Sequence, residues 1–102
     1  MKMKNKPLNS KFIIKKLEEN KYKIHKYSVK KIGLFGSYLK NNPNKRSDID
    51  FIVRLDKPTF DNYMELKFLL EKLFHKKIDL VTEESLKPAL EYIKEGALYA
   101  KI

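Results

Sequence analysis

The segment DIDFIVRL constrains the fold more than any other part of this 102-residue sequence. Apolar residues alternate with polar ones along it, and a period of two predicts a β-strand. Ile49, Phe51 and Val53 then share one face of the strand. Asp48 and Asp50 project together from the other face, about 7 Å apart along the chain. The chain therefore needs a sheet that buries one face and carries a pair of carboxylates on the other.

The hydrophobic periodicity around this strand predicts an α/β chain, of the α+β type, in the order α-β-α-β-α-β-α. Residues 22–29 fit either a short strand or an extended connector. The first predicted helix is capped by Asn9 or Ser10 and ends near Asn20, and the last is capped by Ser85, with Pro88 in its first turn and Gly96 near its end. A third, long helix runs from Pro58-Thr59 to about Phe74, and a brief helical turn follows Gly36-Ser37. The predicted strands are Lys31 to Phe35, Asp48 to Leu55 and Ile78 to Thr82.

Two of these helices carry apolar stripes that are expected to pack against the sheet. The inward residues of the first helix are Leu8, Phe12, Ile13 and Leu17. Those of the long helix are Tyr63, Leu66, Leu70, Leu73 and Phe74.

Length and composition predict one domain over residues 1–102, with residues 1–7 as a loose basic tail. The absence of cysteine excludes disulfides and thiolate zinc sites and suits a reducing cytoplasm. No apolar run approaches the roughly 18 residues of a membrane span. The net charge of +10 attracts polyanions, but the basic residues are dispersed and fit a solvated face equally well.

The order of elements brings three aspartates to one end of the sheet. The strand from Asp48, the long helix and the next strand have the length of a βαβ crossover, which joins parallel neighbours. Asp79 lies near the start of its strand, as Asp48 and Asp50 do on theirs. Gly36-Ser37 ends the first strand, and a single loop joins it to Asp48, so this turn belongs at the same edge.

Such a cluster of carboxylates requires compensation. At about 5 Å separation and an effective dielectric near 20, each pair repels by roughly 3 kcal/mol. Magnesium, a hard cation that prefers carboxylate and phosphate oxygens, is the natural counterion. A glycine turn beside the acids suits phosphate, because Gly36 permits close approach and a helical turn from Ser37 aims N–H groups outward.

Each residue alone has an ordinary interpretation. Asp48 fits a turn cap, Asp50 an exposed strand position, and Asp79 an ion pair with a neighbouring lysine. His25 and His75 are expected to be structural, and Tyr38 fits core packing better than stacking on a base. Only the combination, in this order and with apolar strand residues between, indicates a metal–phosphate site.

The stretch GLFGSYLKNNPNKRSDIDFIV resembles the signature of the polymerase-beta-like nucleotidyltransferases: Gly-Ser, ten residues, then Asp-x-Asp. KKIDLVT, with Asp79, is similar to that superfamily's third-carboxylate strand. The chain length and the ending EYIKEGALYAKI resemble the minimal nucleotidyltransferases (MNT proteins), antitoxins found beside HEPN-domain toxins. The resemblance implies a small mixed sheet flanked by helices. Where the family often has Ala-Arg-Gly after the Gly-Ser, this chain has Leu39-Lys40-Asn41.

The resemblance also implies a reaction, namely transfer of AMP from ATP to a hydroxyl with release of pyrophosphate. Asp48 and Asp50 would hold two magnesium ions, and Asp79 would complete one shell and take the hydroxyl proton. Gly36 and Ser37 would bind the phosphates. Lys40, Lys45 or Arg46 would add positive charge there.

The implied acceptor is a tyrosine of a cognate HEPN toxin, an RNase, with which the chain would form a hetero-oligomer. Two alternatives remain open. One is an antitoxin of the same fold that blocks its partner by binding alone. The other is a basic domain that binds nucleic acid, a secondary partner in the first interpretation. No membrane partner is expected.

Overall fold

The computed structural model describes residues 8–44 and 46–102. The predicted tail, residues 1–7, lies outside this part of the chain. None of the described helices is both long and apolar enough to cross a membrane. The helices are α1 (Ser10–Glu19), α2 (Lys21–His25), α3 (Phe60–Phe74) and α4 (Glu91–Gly96), and the strands are β1 (Val29–Phe35), β2 (Ile49–Leu55), β3 (Ile78–Thr82) and β4 (Leu98–Tyr99).

The four strands form one mixed sheet in the order β3-β2-β1-β4. β1 runs antiparallel to both β2 and β4. β2 and β3 are parallel, and α3 makes the crossover between them. The predicted α+β class, the mixed sheet and the parallel crossover are confirmed.

Side-chain caps begin the two longer helices where the sequence predicts them. Asn9 caps α1, and its side chain accepts a hydrogen bond of 2.8 Å from the backbone N–H of Phe12. Thr59 caps α3 in the same way through the N–H of Asn62, at 3.1 Å. Each cap satisfies an N–H group that has no partner inside its helix.

The core lies between the helices and one face of the sheet. Leu66, Leu70 and Phe74 of the predicted α3 stripe are buried, and Tyr38 packs in the same core, as its packing interpretation predicts. Phe12 contradicts its prediction, because 41% of it is exposed. It lies on the outer side of α1 under Lys16, whose Nζ is 5.8 Å from the ring centroid, while Ile13 and Leu17 fill the inner positions.

Two local predictions are wrong. Residues 21–25 form α2 rather than a strand or an extended connector. The last predicted helix is broken into 3-10 turns at Glu83–Ser85 and Pro88–Leu90 followed by α4, because Ser85 donates its hydroxyl to the carbonyl of Thr82 and caps no helix. The brief helical turn predicted after Gly36-Ser37 is present, and the N–H of Lys40 closes it by donating to the carbonyl of Gly36.

Candidate active site

Asp50 and Asp79 lie side by side at one end of the sheet. They are direct partners in the parallel register of β2 and β3, so both side chains project from the same face. The hydrogen bond from the N–H of Ile49 to the carbonyl of Lys77, 3.1 Å, fixes the start of the pairing. Asp50 is half-buried on an inner strand, whereas Asp79 is exposed on the edge strand β3.

The environment of Asp50 opposes its negative charge. The pKa of Asp50 is raised to about 6, first by burial and then by the adjacent Asp79, through its charge and through a hydrogen bond between the two carboxyl groups. The charge of Asp48 contributes a smaller part of the same rise. The two carboxyl groups lie on paired residues of adjacent strands and offer hard oxygen donors, which suit a cation such as Mg²⁺.

Asp48 lies outside the regular strand. β2 begins at Ile49, one residue later than predicted, and Asp48 follows a turn that Asn44 and Ser47 hold, with 2.9 Å between the Asn44 nitrogen and Ser47 Oγ. Within residues 8–44 and 46–102, no three acidic, histidine or cysteine side chains are gathered closely enough to hold a metal ion. The structure therefore shows an adjacent pair with a third charge nearby, and the ligand roles of the three stay a prediction.

Gly36 makes room for the Asp50 carboxylate. Its φ of 78° lies in the left-handed region that favours glycine. A Cβ atom placed on Gly36 would overlap Oδ2 of Asp50 and lie 2.9 Å from its Cγ. The glycine of the Gly-Ser pair is thus required by a contact between the backbone of one strand and the acidic side chain of the next.

The turn after Gly36 presents unpaired donors beside this pair. Lys40, Asn41 and Asn42 donate their backbone N–H groups within the turn. Among the residues that the structure describes, the N–H groups of Ser37, Tyr38 and Leu39 find no acceptor. Successive free N–H groups bind the phosphates of nucleotides in many proteins, and here they lie next to a pair of acidic side chains.

Asn41 explains how the departure at Leu39-Lys40-Asn41 is accommodated. Its φ is 55°, a left-handed conformation that asparagine adopts more readily than other residues that carry a side chain. Its Oδ1 also accepts a 2.9 Å hydrogen bond from the N–H of Ser10, which ties the turn to the start of α1. Asn41 thus adopts a left-handed conformation without a glycine, and Lys40 is left exposed beside Gly36.

Residues 11–100 match the family model of the nucleotidyltransferase domain. The chain belongs to the nucleotidyltransferase-domain family. This membership confirms the predicted enzyme class.

Two curated relatives are named for a more specific activity. A Methanocaldococcus jannaschii protein, provisionally named a protein adenylyltransferase, is 45% identical over 64 residues, which are 60% of this chain and 64% of that protein. Protein adenylyltransferase MntA of Thermococcus cleftensis is 35% identical over 66 residues, which are 64% of this chain and 67% of that protein. The chain thus spans slightly less than two thirds of the first relative's length.

Solved structures share the fold. One, described provisionally as a minimal nucleotidyltransferase, has a TM-score of 0.78 over 92% of this chain and 98% of its own, at 23% identity. A chain from the complex of tri-AMPylated Shewanella oneidensis HEPN toxin with MNT antitoxin has a TM-score of 0.52, at 26% identity, over 76% of this chain and 61% of its own. The resemblance to the MNT proteins and their fold is confirmed.

The structure describes two of the three basic residues that were predicted near the phosphates. Lys40 lies beside Gly36, and Arg46 is exposed in the loop before Asp48. Lys45 lies outside the described residues. His25, expected to be structural, has its ring nitrogens 3.1 Å from the carbonyl oxygens of Val29 and Ile102, far along the chain from the acidic pair.

A groove next to the nucleotidyltransferase signature was not predicted from the sequence. It has a volume of about 380 Å³ and lies between the Gly36 turn and α4. Phe35, Leu39, Tyr92 and Ile93 supply most of its apolar lining. No local signal could reveal it, because the groove joins segments more than fifty residues apart and α4 itself was predicted as part of a longer helix.

Proposed function

We propose that this chain is a Mg²⁺-dependent protein adenylyltransferase that transfers AMP from ATP to a tyrosine hydroxyl of a cognate HEPN toxin. The observation that carries the proposal is the Asp50–Asp79 pair, with the Gly36 backbone against the carboxylate of Asp50. The names of the relatives support transfer of an adenylyl group to a protein. The reaction belongs in the cytoplasm.

Each part of the site has a distinct task in this reaction. Asp50 and Asp79, with Asp48, hold the metal, and Mg²⁺ when bound neutralises phosphate charge and lowers the pKa of the acceptor hydroxyl. The free N–H groups from Ser37 to Leu39 hold the triphosphate oxygens. Lys40 adds a positive charge at the same end of the turn.

The chemical step forms one bond and breaks one at phosphorus, and it transfers one proton. The tyrosine oxygen bonds to the α-phosphorus of ATP, the bond from that phosphorus to the bridging oxygen breaks, and pyrophosphate leaves with the electron pair. Asp79 accepts the hydroxyl proton, because it is the exposed member of the acidic pair and lies on the edge strand, where a second protein has access.

A protein acceptor also fits the size of the domain. The acidic end of the sheet opens at the edge strand β3, and within the described residues no further domain covers it. An acceptor side chain on a partner protein has access there. One of the structural neighbours is a HEPN toxin complex, which supports a partner of that class.

Replacing Asp50 with asparagine separates catalysis from simple binding. We expect Asp50→Asn to abolish neutralisation of the toxin in co-expressing cells, since the metal-binding pair is lost while the side-chain volume is kept. Asp56→Asn, an exposed aspartate at the opposite end of β2, is the matched control and should neutralise normally. Full neutralisation by the Asp50→Asn variant would show that the chain acts by binding alone.

A further inference from the structure

The fold brings together three lysines that lie far apart in the sequence. Lys23 is on α2, Lys26 is the residue that ends α2, and Lys72 is on α3. They line a cleft of about 300 Å³ between the two helices, which we call the lysine cleft, and its other lining residues are Tyr27, Leu69 and Leu73. The lysines are exposed, whereas the other three side chains are half-buried against the core. The lysine cleft therefore has a positive rim and a largely apolar floor.

The chain itself does not compensate the positive charge of the lysine cleft. None of its lining residues is acidic. In the part of the chain that the structure describes, Lys23, Lys26 and Lys72 form no ion pair with an acidic side chain. Lys23 and Lys26 are three residues apart on one helix, a spacing at which like charges repel. A polyanion bound in the cleft relieves this repulsion and gains affinity by releasing counterions.

Exposed aromatic rings lie beside the same lysines. Tyr22 is 81% exposed and precedes Lys26 by four residues, and Phe68 is 54% exposed and precedes Lys72 by four. Residues four apart are neighbours on a helix surface, so each ring lies next to a lysine of the cleft. The Nζ of Lys21 is 5.5 Å from the centroid of the Tyr22 ring, which adds another positive charge there. An aromatic ring and a positive charge thus lie together on each side of the cleft.

The exposed rings favour one kind of polyanion over another. An acidic peptide offers carboxylates to the lysines, but it has no flat groups that need the rings. A single-stranded nucleic acid offers phosphates to the lysines and unpaired bases that stack on aromatic side chains whatever their sequence. We propose that the lysine cleft binds single-stranded nucleic acid, with phosphates at Lys26 and Lys72 and bases on Tyr22 and Phe68.

The lysine cleft is separate from the acidic pair. Side chains of α2 and α3 pack in the core with Phe51 of β2, whereas Asp50, the preceding residue of that strand, projects from the other sheet face. A strand of nucleic acid in the cleft leaves Asp50 and Asp79 accessible. This binding is independent of the proposed transfer reaction.

The first test removes charge from the cleft and from elsewhere. Fluorescence anisotropy measures the binding of a labelled oligo(U) of about 12 nucleotides, without Mg²⁺, at salt concentrations from about 50 mM upward. Lys26→Gln/Lys72→Gln should weaken binding about 10-fold or more at the lowest salt. It should also reduce the slope of log affinity against log salt by about 1.4, since each lost phosphate contact removes about 0.7. Arg54→Gln/Lys87→Gln is the matched control, because it removes the same charge from exposed residues outside the cleft, and it should bind nearly as the unmodified protein does.

The second test removes a ring and keeps the charge. Tyr22→Ala should weaken oligo(U) binding about 5- to 100-fold through lost stacking, and the salt slope should stay the same. Tyr22→Phe keeps the ring and should bind as the unmodified protein does. Tyr92→Ala is the matched control, because Tyr92 is a 67% exposed tyrosine on α4 that does not line the cleft, and it should bind normally.

Competition identifies the kind of polyanion. Oligo(dT) should displace labelled oligo(U) as well as oligo(U) itself does, because phosphates and base faces make the contacts. Poly-glutamate of the same length should displace it poorly, and displacement equal to that by oligo(dT) would make the cleft an acidic-peptide site instead. Equal weakening by the two double variants, no effect of Tyr22→Ala, or no binding by the unmodified protein would each overturn the proposal. None of these outcomes affects the proposed adenylyl transfer.

Discussion

At the scale of single residues, the protonation of Asp50 makes folding stability depend on pH. Its pKa is about 6 in the folded state, against 3.8 ordinarily, so between these values the folded chain holds a proton that the unfolded chain has lost. Stability from this group is therefore present at low pH and is lost as pH rises toward 6. We predict that the unmodified protein loses stability relative to Asp50→Asn as the pH rises from 4 to 6.5. Urea denaturation in EDTA measures the unfolding free energy of both proteins. A difference in unfolding free energy that stays constant over this range would contradict the raised pKa of Asp50.

The proposed magnesium site at the same pair predicts an effect on thermal stability. Because a bound cation removes the repulsion between Asp50 and Asp79, millimolar Mg²⁺ should raise the midpoint of thermal unfolding at pH 7.5. Asp50→Asn should show no such rise, whereas Asp56→Asn should show the full rise. Equal responses of all three proteins in a thermal shift experiment would mean that the ion binds elsewhere.

Gly36 tolerates substitution poorly. We expect Gly36→Ala to destabilise the fold by about 1–3 kcal/mol, because alanine is strained at a positive φ and its methyl group displaces the Asp50 carboxylate. Gly96→Ala is the control for stability, since a Cβ there meets no atom within 4 Å. Urea denaturation of both variants measures the difference, and equal stability of the two would contradict the close contact.

The Gly36 contact also marks a limit of what the sequence could predict. The Gly-Ser spacing indicated a glycine that admits a ligand, but the atom that approaches Gly36 belongs to the chain's own Asp50. That contact depends on the antiparallel register of Phe35 with Asp50, which no local pattern determines. Asn41 is similar, since its role depends on a left-handed backbone and on a hydrogen bond to Ser10.

At the scale of elements, β4 depends on a glycine in its neighbour β1. Tyr99 pairs with Gly33, and a Cβ on Gly33 would lie 2.9 Å from Cδ1 of that ring and 3.2 Å from Cβ of Ala97. We predict that Gly33→Ala destabilises the fold by about 1–3 kcal/mol through overpacking. Hydrogen exchange should show faster exchange at the N–H of Ala100, which bonds to the carbonyl of Ile32. Protection of Ala100 equal to that in the unmodified protein would contradict this account.

The predictable elements are those with strong local signals. α1 and α3 have cap residues and apolar stripes, and the crossover length determined that β2 and β3 are parallel. β4 has two residues and exists only through its pairing with β1, more than sixty residues earlier, so periodicity could not reveal it. The final helix is interrupted at Ser85 and Pro88 by turn geometry that the apolar spacing did not indicate.

At the scale of the whole molecule, the core and the candidate site lie on different faces of the sheet. One sheet face packs on the helices and carries the core, while the acidic pair, the Gly36 turn and the groove follow one another across the strand ends of the other face. The net charge of +10 surrounds this site with a field that attracts triphosphates and acidic protein surfaces. We expect the partner protein to bind at the open edge near Asp79.

The mass of the partner protein tests this account most directly. The proposed partner, a HEPN toxin, is incubated with ATP, Mg²⁺ and the unmodified protein or its Asp50→Asn variant, and its intact mass is measured. The account predicts that the unmodified protein increases the mass by one or more AMP units and that Asp50→Asn adds none. An unchanged mass with the unmodified protein, while the toxin is nevertheless neutralised, would contradict adenylyl transfer.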